Sequence, residues 1–443
     1  MHTRAYFSYF TTTTNFTHPS SGTTSIFLFN VLITMCIRNR DIVIIGLQPW
    51  YTKIGSNCKN IAQEFAKENR VLYVNVPLDR RTAMTEKNNP DISHHLQVVN
   101  GKEPSLVQLN ENFWNLYPSR VLESINWLPS TSLFSVFNKL NNRRFAKSIQ
   151  AAIRQLGFEN IILFNDNDIF RGYHLKELLR PAVYVYYSRD YLLAVDYWKK
   201  HGEKIEPMHI AKADVGVANS LYLADRLKTY NPNSYYVGQG CDLNLFNPDK
   251  HYEMPTDITG ISGTVIGYVG ALTSLRLDIP LLEKMAQAKP QWKIVLVGHE
   301  DEAFRKSALH HLPNVYFTGG KPMHLLPAYI RHFDICINPQ VVNDLTVGNY
   351  PLKVDEYLAM GKPVLATRTP TMELFRDHVY LAEDLSSYIS QAEKALAENS
   401  DEKAAARRGF ALSHTWENSA AAIYDAILSF EQPVKRGHLS EHC

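Results

Sequence analysis

Lys353 and Glu356 stand three residues apart just behind Pro351. Pro351 is a favoured first residue of a helix, and the i, i+3 spacing sets both charges on one face of it. A helix start offers free N–H groups and the positive end of the macrodipole, so it attracts an anion such as a diphosphate. Gly348, a little upstream, lets backbone approach a ligand closely. Lys353 adds a point charge for phosphates. Glu356 can accept hydrogen bonds from two vicinal ribose hydroxyls, as acidic residues do in dinucleotide folds. Spacing alone leaves a plainer alternative open: an exposed Lys353–Glu356 ion pair worth about 0.2–0.5 kcal/mol.

These residues sit in an alternating pattern of apolar runs and amphipathic segments. A short apolar run over 42–47 reads as a strand buried on both faces. A turn with Gly55 follows, and Ser56 or Asn57 can cap a helix running to about 67. Further strands are expected at 71–76, 161–164, 183–187, 215–218 and 235–237, with a helix at 221–228. A polar linker follows Gly238-Gln-Gly-Cys-Asp242, and the rhythm restarts. It gives strands at 265–269, 292–297, 315–318, 335–338 and 363–366, helices at 279–288, 325–332 and 351–360, and helical sequence from 385 onward. Strands separated by helices imply parallel pairing through right-handed crossovers. The expected class is α/β: two Rossmann-like units facing a cleft, with ligands beyond the carboxyl ends of the strands. The boundaries are 1–40 for an extension, 41–238 and 239–414 for the two units, and 415–443 for a closing helix, which packs on its own unit or crosses back, and a tail.

Composition narrows the function classes. The chain has 443 residues, enough for two domains. Net charge is +2, with 46 basic and 44 acidic residues, so bulk charge gives no reason to expect nucleic acid as a partner. Five widely spaced cysteines without a C-x-x-C suit a reducing cytoplasm. Residues 1–34 are rich in Thr, Ser and Phe. Their apolar run over 26–36 is too short to span a bilayer, which takes about 20 residues. Met35 is the preferred natural start.

The string Pro351-Leu-Lys-Val-Asp-Glu-Tyr-Leu-Ala-Met-Gly-Lys-Pro-Val-Leu-Ala-Thr367 resembles the hallmark of the family-4-like glycosyltransferases, in the branch that builds exopolysaccharide, capsule, teichuronic acid or lipopolysaccharide. Gly240-Cys-Asp242 with Phe246, then Ile266-Gly-Tyr-Val-Gly-Ala271 and Trp292-Lys-Ile-Val-Leu-Val-Gly298, resemble the opening of that family's donor domain, in the same order. The resemblance runs from 183 to 428, with 41–164 following in outline. It implies the GT-B architecture, with 41–238 as acceptor domain and 239–414 as nucleotide-sugar donor domain.

It also implies roles. Glu356 matches the second glutamate of the family's E-x7-E motif, which holds the ribose; the first falls at Gly348 and is absent here. Lys353 and, after Gly270, Arg276 are candidates for the basic pair on the diphosphate, with Leu352 beside them; for Arg276 a solvated loop charge is the alternative. Gly55 lies where a diphosphate or acceptor approaches, or is an ordinary turn glycine. Asp166 replaces a histidine that related enzymes often carry near the reacting sugar, and its alternative is an Asx-turn at a strand end. Arg189 and Asp190 face the same cleft mouth. Asp166-x-Asp168 also spells the metal motif of the other large glycosyltransferase architecture, a match that arises readily by chance. His94-His95 and His310-His311 read as surface residues, so no metal or other cofactor is expected.

The implied activity is sugar transfer from a nucleoside-diphosphate sugar, with retention, to a lipid-linked saccharide, by a cytoplasmic protein in peripheral contact with the inner face of the cytoplasmic membrane. Two rivals stay open: a nucleotide-sugar epimerase on the same architecture, and a non-catalytic nucleotide-sugar-binding subunit of an assembly complex, for which the missing glutamate at 348 speaks.

Overall fold

The computed structural model describes residues 36–52 and 55–431. The reading of 1–34 as an extension, of Met35 as the start and of the tail beyond 431 lies outside the described residues.

Two parallel sheets organise the chain. The first holds β1 (Asp41–Ile45), β2 (Arg70–Val74), β3 (Leu106–Asn110), β4 (Phe113–Leu116), β5 (Ile162–Asp166), β6 (Val183–Ser188), β7 (Val215–Ala218) and β8 (Ser234–Tyr236). Their order is β3-β4-β2-β1-β5-β6-β7-β8. The second holds β9 (Val265–Val269), β10 (Lys293–Val297), β11 (Val315–Phe317), β12 (Ile335–Asn338), β13 (Val364–Thr367) and β14 (Tyr380–Ala382), in the order β11-β10-β9-β12-β13-β14. Every residue of β1, β5, β9 and β12 is buried, as continuous apolar runs covered on both faces require. In β12, Ile335 and Ile337 join one core while Cys336 joins the core on the opposite face. The order reverses between β9 and β12, the switch point where such sheets take ligands.

Three departures from expectation have physical causes. Parallel pairing fails at the edge, where β3 and β4 form an antiparallel hairpin; only two residues join them, too few for a crossover. A 26-residue helix, Thr131–Leu156, had no sequence signal strong enough to place it. His95 is not a surface residue: it is buried, with Nε2 2.8 Å from the Pro118 carbonyl oxygen.

The last helix, Trp416–Glu431, buries Ala420, Ile423, Tyr424 and Ile427 in the first sheet's core beside Ile42 and Phe65. Asn69 Nδ2 donates to the Tyr424 hydroxyl at 3.0 Å, and Arg40 pairs with Glu431 at 3.0 Å. The two chain crossings between lobes run side by side: Cys241 N donates to the His414 carbonyl at 3.0 Å. A Cβ at Gly240 would lie 2.2 Å from the Trp416 nitrogen, so only glycine fits.

Candidate active site

Helix Leu352–Ala359 starts one residue later than the sequence suggests, with Pro351 as its cap residue. Pro351 offers no side-chain cap; the Val354 N–H donates to the Pro351 carbonyl at 2.9 Å, and the Leu352 and Lys353 N–H groups, without an acceptor among the described residues, keep their capacity for an anion. Glu356 is buried one turn in. Its carboxylate has no hydrogen bond and no ion pair among the described residues. The Lys353–Glu356 ion pair is not formed, although Lys353 is near enough to pull the Glu356 pKa down. Burial outweighs it, and Asp355 and Asp242 add repulsion, so Glu356 is pushed up to about 7. Asp355 has a different fate: it accepts from the Tyr350 hydroxyl at 2.7 Å and pairs with His414 Nδ1 at 2.8 Å.

Lys353 has no ion-pair partner among the described residues. Its Nζ lies 5.1 Å from the centre of the Tyr268 ring, a cation–π contact. Its stem crosses Gly270, where a Cβ would come within 2.9 Å of Lys353 Cε. Gly270 also has φ +142°, which L side chains rarely adopt. The glycine at the end of β9 therefore makes room for the lysine. Asn338, at the end of the neighbouring β12, is buried with neither amide atom partnered among the described residues.

Gly348 lies against the first lobe. Its carbonyl accepts from Ser220 Oγ at 2.8 Å, and a Cβ there would sit 2.2 Å from Tyr222 Cδ1. Ser220 and Tyr222 belong to the start of helix Leu221–Lys228, of which Ser220 is the cap. Any side chain at 348 would thus run into a tyrosine ring. Leu352 packs against the first lobe's core, so it ties the lobes together.

The first lobe contributes a chain of charges. Asp166 is fully buried at the end of β5; Oδ1 pairs with Arg189 Nε at 2.8 Å and Oδ2 accepts from the Leu47 N–H at 3.2 Å. Burial raises the Asp166 carboxyl against the pull of Arg189. Arg189 also pairs with Asp190 at 3.0 Å, and Asp190 with Arg276 of the second lobe at 3.5 Å. Four residues singled out separately in the sequence form one relay across the cleft. Asp168 closes a turn, accepting from the Phe170 and Arg171 N–H groups, and pairs with Arg171 at 2.6 Å. Gly55 is exposed, and a Cβ there would lie 3.8 Å from Met323 Cε of the second lobe.

Sequence reading missed Ser220 and Tyr222, because nothing in a single sequence says which residues the other lobe will meet, and it gave Tyr268 no role, because its contact with Lys353 joins segments far apart in the chain. It also missed Asn219 and offered Asn57 only as a helix cap, a place that Ser56 takes; both asparagines donate to Gln239 Oε1 at the crossing between lobes.

Comparison with known proteins fits this architecture. Residues 263–402 match the family model described as glycosyl transferases group 1. TuaH of Bacillus subtilis (strain 168), described as a candidate teichuronic acid biosynthesis glycosyltransferase, is 30% identical over 220 residues. That match takes in 47% of this chain and 55% of TuaH, so the chain spans about half the length of the curated relative. Sucrose-phosphate synthase from Thermosynechococcus elongatus superimposes with a TM-score of 0.62 at 14% identity, over 89% of this chain and 99% of that one. A glycosyltransferase from Rickettsia africae gives 0.60 at 14%, over 90% and 100%. Anabaena Alr3699/HepE, solved with UDP and glucose, gives 0.55 at 14%, over 88% and 100%. At such identities the likeness is one of fold, and that fold is GT-B, two Rossmann-like lobes of α/β class.

Proposed function

We propose that this chain, which belongs to the family-4-like glycosyltransferases, moves a sugar from a nucleoside-diphosphate sugar to a saccharide acceptor carried on a lipid, retaining the anomeric configuration. One observation carries the reading: among the described residues Glu356 is a buried carboxylate with no hydrogen-bond or ion-pair partner, one turn inside a helix start without a side-chain cap, beside a lysine with no ion pair. Burying an unpaired carboxylate is costly. A ribose that donates two hydroxyl hydrogens would satisfy it. The Leu352 and Lys353 N–H groups and the Lys353 ammonium would then meet the diphosphate and stabilise it as it leaves, where charge develops. Arg276 would close on the same charge from the loop after Gly270, and Gly55 would leave room for the acceptor end of the substrate.

No metal or other cofactor is assigned to this step. Asp166 and Asp168 are each committed to an arginine, and the helix start and Lys353 supply positive charge for the phosphates. HepE is described with UDP and with UDP-glucose, so uridine diphosphate sugars are the first donors to try. The relationship to TuaH supports a surface-polysaccharide acceptor. Among the described residues no helix is long and apolar enough to cross a membrane; the lipid-linked acceptor would be met at the inner face of the cytoplasmic membrane.

A second reading, a non-catalytic nucleotide-sugar-binding subunit, draws on Gly348, which stands where the family has a glutamate. A thermal-shift panel of nucleoside diphosphates, followed by transfer assays on lipid extract, tests both. The proposed enzyme is stabilised by a nucleotide in proportion to ligand excess, loses that shift in Glu356→Ala, and labels a lipid product. An unchanged shift in Glu356→Ala puts the ribose elsewhere, and binding without transfer to any acceptor favours the subunit.

A further inference from the structure

Helix Thr131–Leu156 is the longest in the described chain, and its sequence contains no Asp or Glu. It carries Lys139, Arg143, Arg144, Lys147 and Arg154. Arg144 turns inward to Glu123 at 2.7 Å; the other four have no ion pair among the described residues. The first three turns expose Leu133, Val136, Phe137 and Leu140, an i, i+3, i+4, i+7 stripe on the solvent side. Val136 is 68% exposed, and Trp127, just ahead of the helix, is 72% exposed. An apolar stripe facing water and continuing into unpaired cations is a costly surface for a free-standing protein. Tryptophan at an apolar–polar boundary and basic residues beyond it are the features by which a helix lies in a lipid interface.

The buried side of the same helix explains why docking there would be useful. Phe134, Asn138 and Asn141 help wall a cavity of about 390 Å³, together with Trp127, Phe170 and Trp198. The cavity is also lined by Pro77, beyond β2, and by Phe170, beyond β5. It therefore lies at the carboxyl ends of the first sheet's strands, the end where Asp166 lies. Its rim includes Arg81 of the short helix Arg80–Thr85, on which Met84 is exposed as well.

We propose that this face seats on an anionic lipid bilayer, with Trp127, Leu133, Val136, Phe137 and Leu140 entering the interface and Lys139, Arg143 and Lys147 meeting acidic headgroups. The cavity behind the helix then receives a saccharide delivered on a membrane lipid. The occupant is a bilayer rather than a protein because the face joins a stripe of mixed aliphatic and aromatic residues to cations alone, a charge match for acidic lipid that asks for no shaped partner. The inference rests on the lipid-linked acceptor proposed above.

Flotation of the full chain with vesicles of phosphatidylcholine, with and without phosphatidylglycerol, tests it. The unaltered chain floats with the anionic vesicles, more weakly in high salt, and little with the neutral ones. Lys139→Gln/Arg143→Gln/Lys147→Gln weakens partition by about 100-fold, near 5-fold per charge. Val136→Glu/Phe137→Glu, at exposed positions that leave the core intact, abolishes it. All variants keep the thermal shift from uridine diphosphate, which reports the donor site alone. An unaltered chain that fails to float, or variants that float like it, overturns the proposal. So does a dimer in solution that Phe137→Glu splits, since a second copy would then cover the face. Retained nucleotide binding with no flotation overturns this inference only, whereas loss of the nucleotide shift in the unaltered chain overturns the donor reading.

Discussion

Arg276 of the second lobe and Asp190 of the first meet across the cleft at 3.5 Å, at the end of a relay that runs back through Arg189 to the buried Asp166. Asp190 already has Arg189 as a partner, and Arg276 is partly exposed. The pair alone is therefore worth about 0.2–1 kcal/mol. If Arg276 also grips the diphosphate, Arg276→Ala raises the donor KM well beyond the effect of Asp190→Ala. Steady-state kinetics on both variants check this, and equal small effects would reduce Arg276 to a latch between lobes.

Gly348 and Tyr222 make a sharper test. A methyl group at 348 would have to displace the Tyr222 ring. Overpacking of this kind costs about 1–3 kcal/mol. Gly348→Ala should lower the melting temperature or hold the lobes apart, and Tyr222→Ala in the same chain should restore most of the loss. Calorimetry of the two variants and the pair gives the coupling directly.

The sequence made the second lobe legible because its strands are short, largely apolar runs punctuated by Gly and Pro. The strands at 265–269 and 335–338 and the helix at 279–288 fall where the pattern put them, as does the strand at 215–218 in the first lobe. Pro351 was misjudged by one position, since a proline serves as readily at the cap as in the first turn. The region from 77 to 160 was opaque. There the hairpin β3–β4 is half exposed, and helix Thr131–Leu156 mixes buried asparagines with exposed leucines, which blurs its period. Of the site, Glu356, Lys353 and Gly348 were visible because they lie within one motif. Their partners Tyr268 and Tyr222 were not, because contacts between distant segments leave no local trace.

Glu356 predicts a pH dependence with a definite sign. Its folded pKa is raised from 4.5 to about 7, so between those values the folded state holds a proton that the unfolded state has lost. Stability contributed by the neutral form is therefore present below about 4.5 and lost as pH rises to about 7, by about 3 kcal/mol at most. Glu356→Gln removes this slope, and urea titrations at several pH values would reveal it. Nucleoside binding should run the other way, strengthening as the carboxylate ionises. Plain uridine is the right probe, because it carries no titrating phosphate. Calorimetric titration should show affinity rising up to about tenfold per pH unit below 7, with Glu356→Gln flat. A flat profile in the unaltered chain would remove Glu356 from the ribose.

Asp166 separates a holding role from direct work on the sugar. Both its oxygens are engaged, one by Arg189 and one by the Leu47 N–H, and it has no solvent exposure. Asp166→Asn leaves the Arg189 guanidinium short of its main counter-charge in a buried setting. Breaking such a pair from one side costs about 3–5 kcal/mol. A urea midpoint should fall accordingly, and kcat should fall with it as Arg189 and Asp190 lose their placement. Replacing both members with apolar residues, Asp166→Leu with Arg189→Met, should return most of the stability, since no unpaired charge remains, yet leave activity low. If Asp166→Asn instead keeps full stability while kcat collapses, the carboxylate acts on the reacting sugar itself, and the relay is its consequence rather than its purpose.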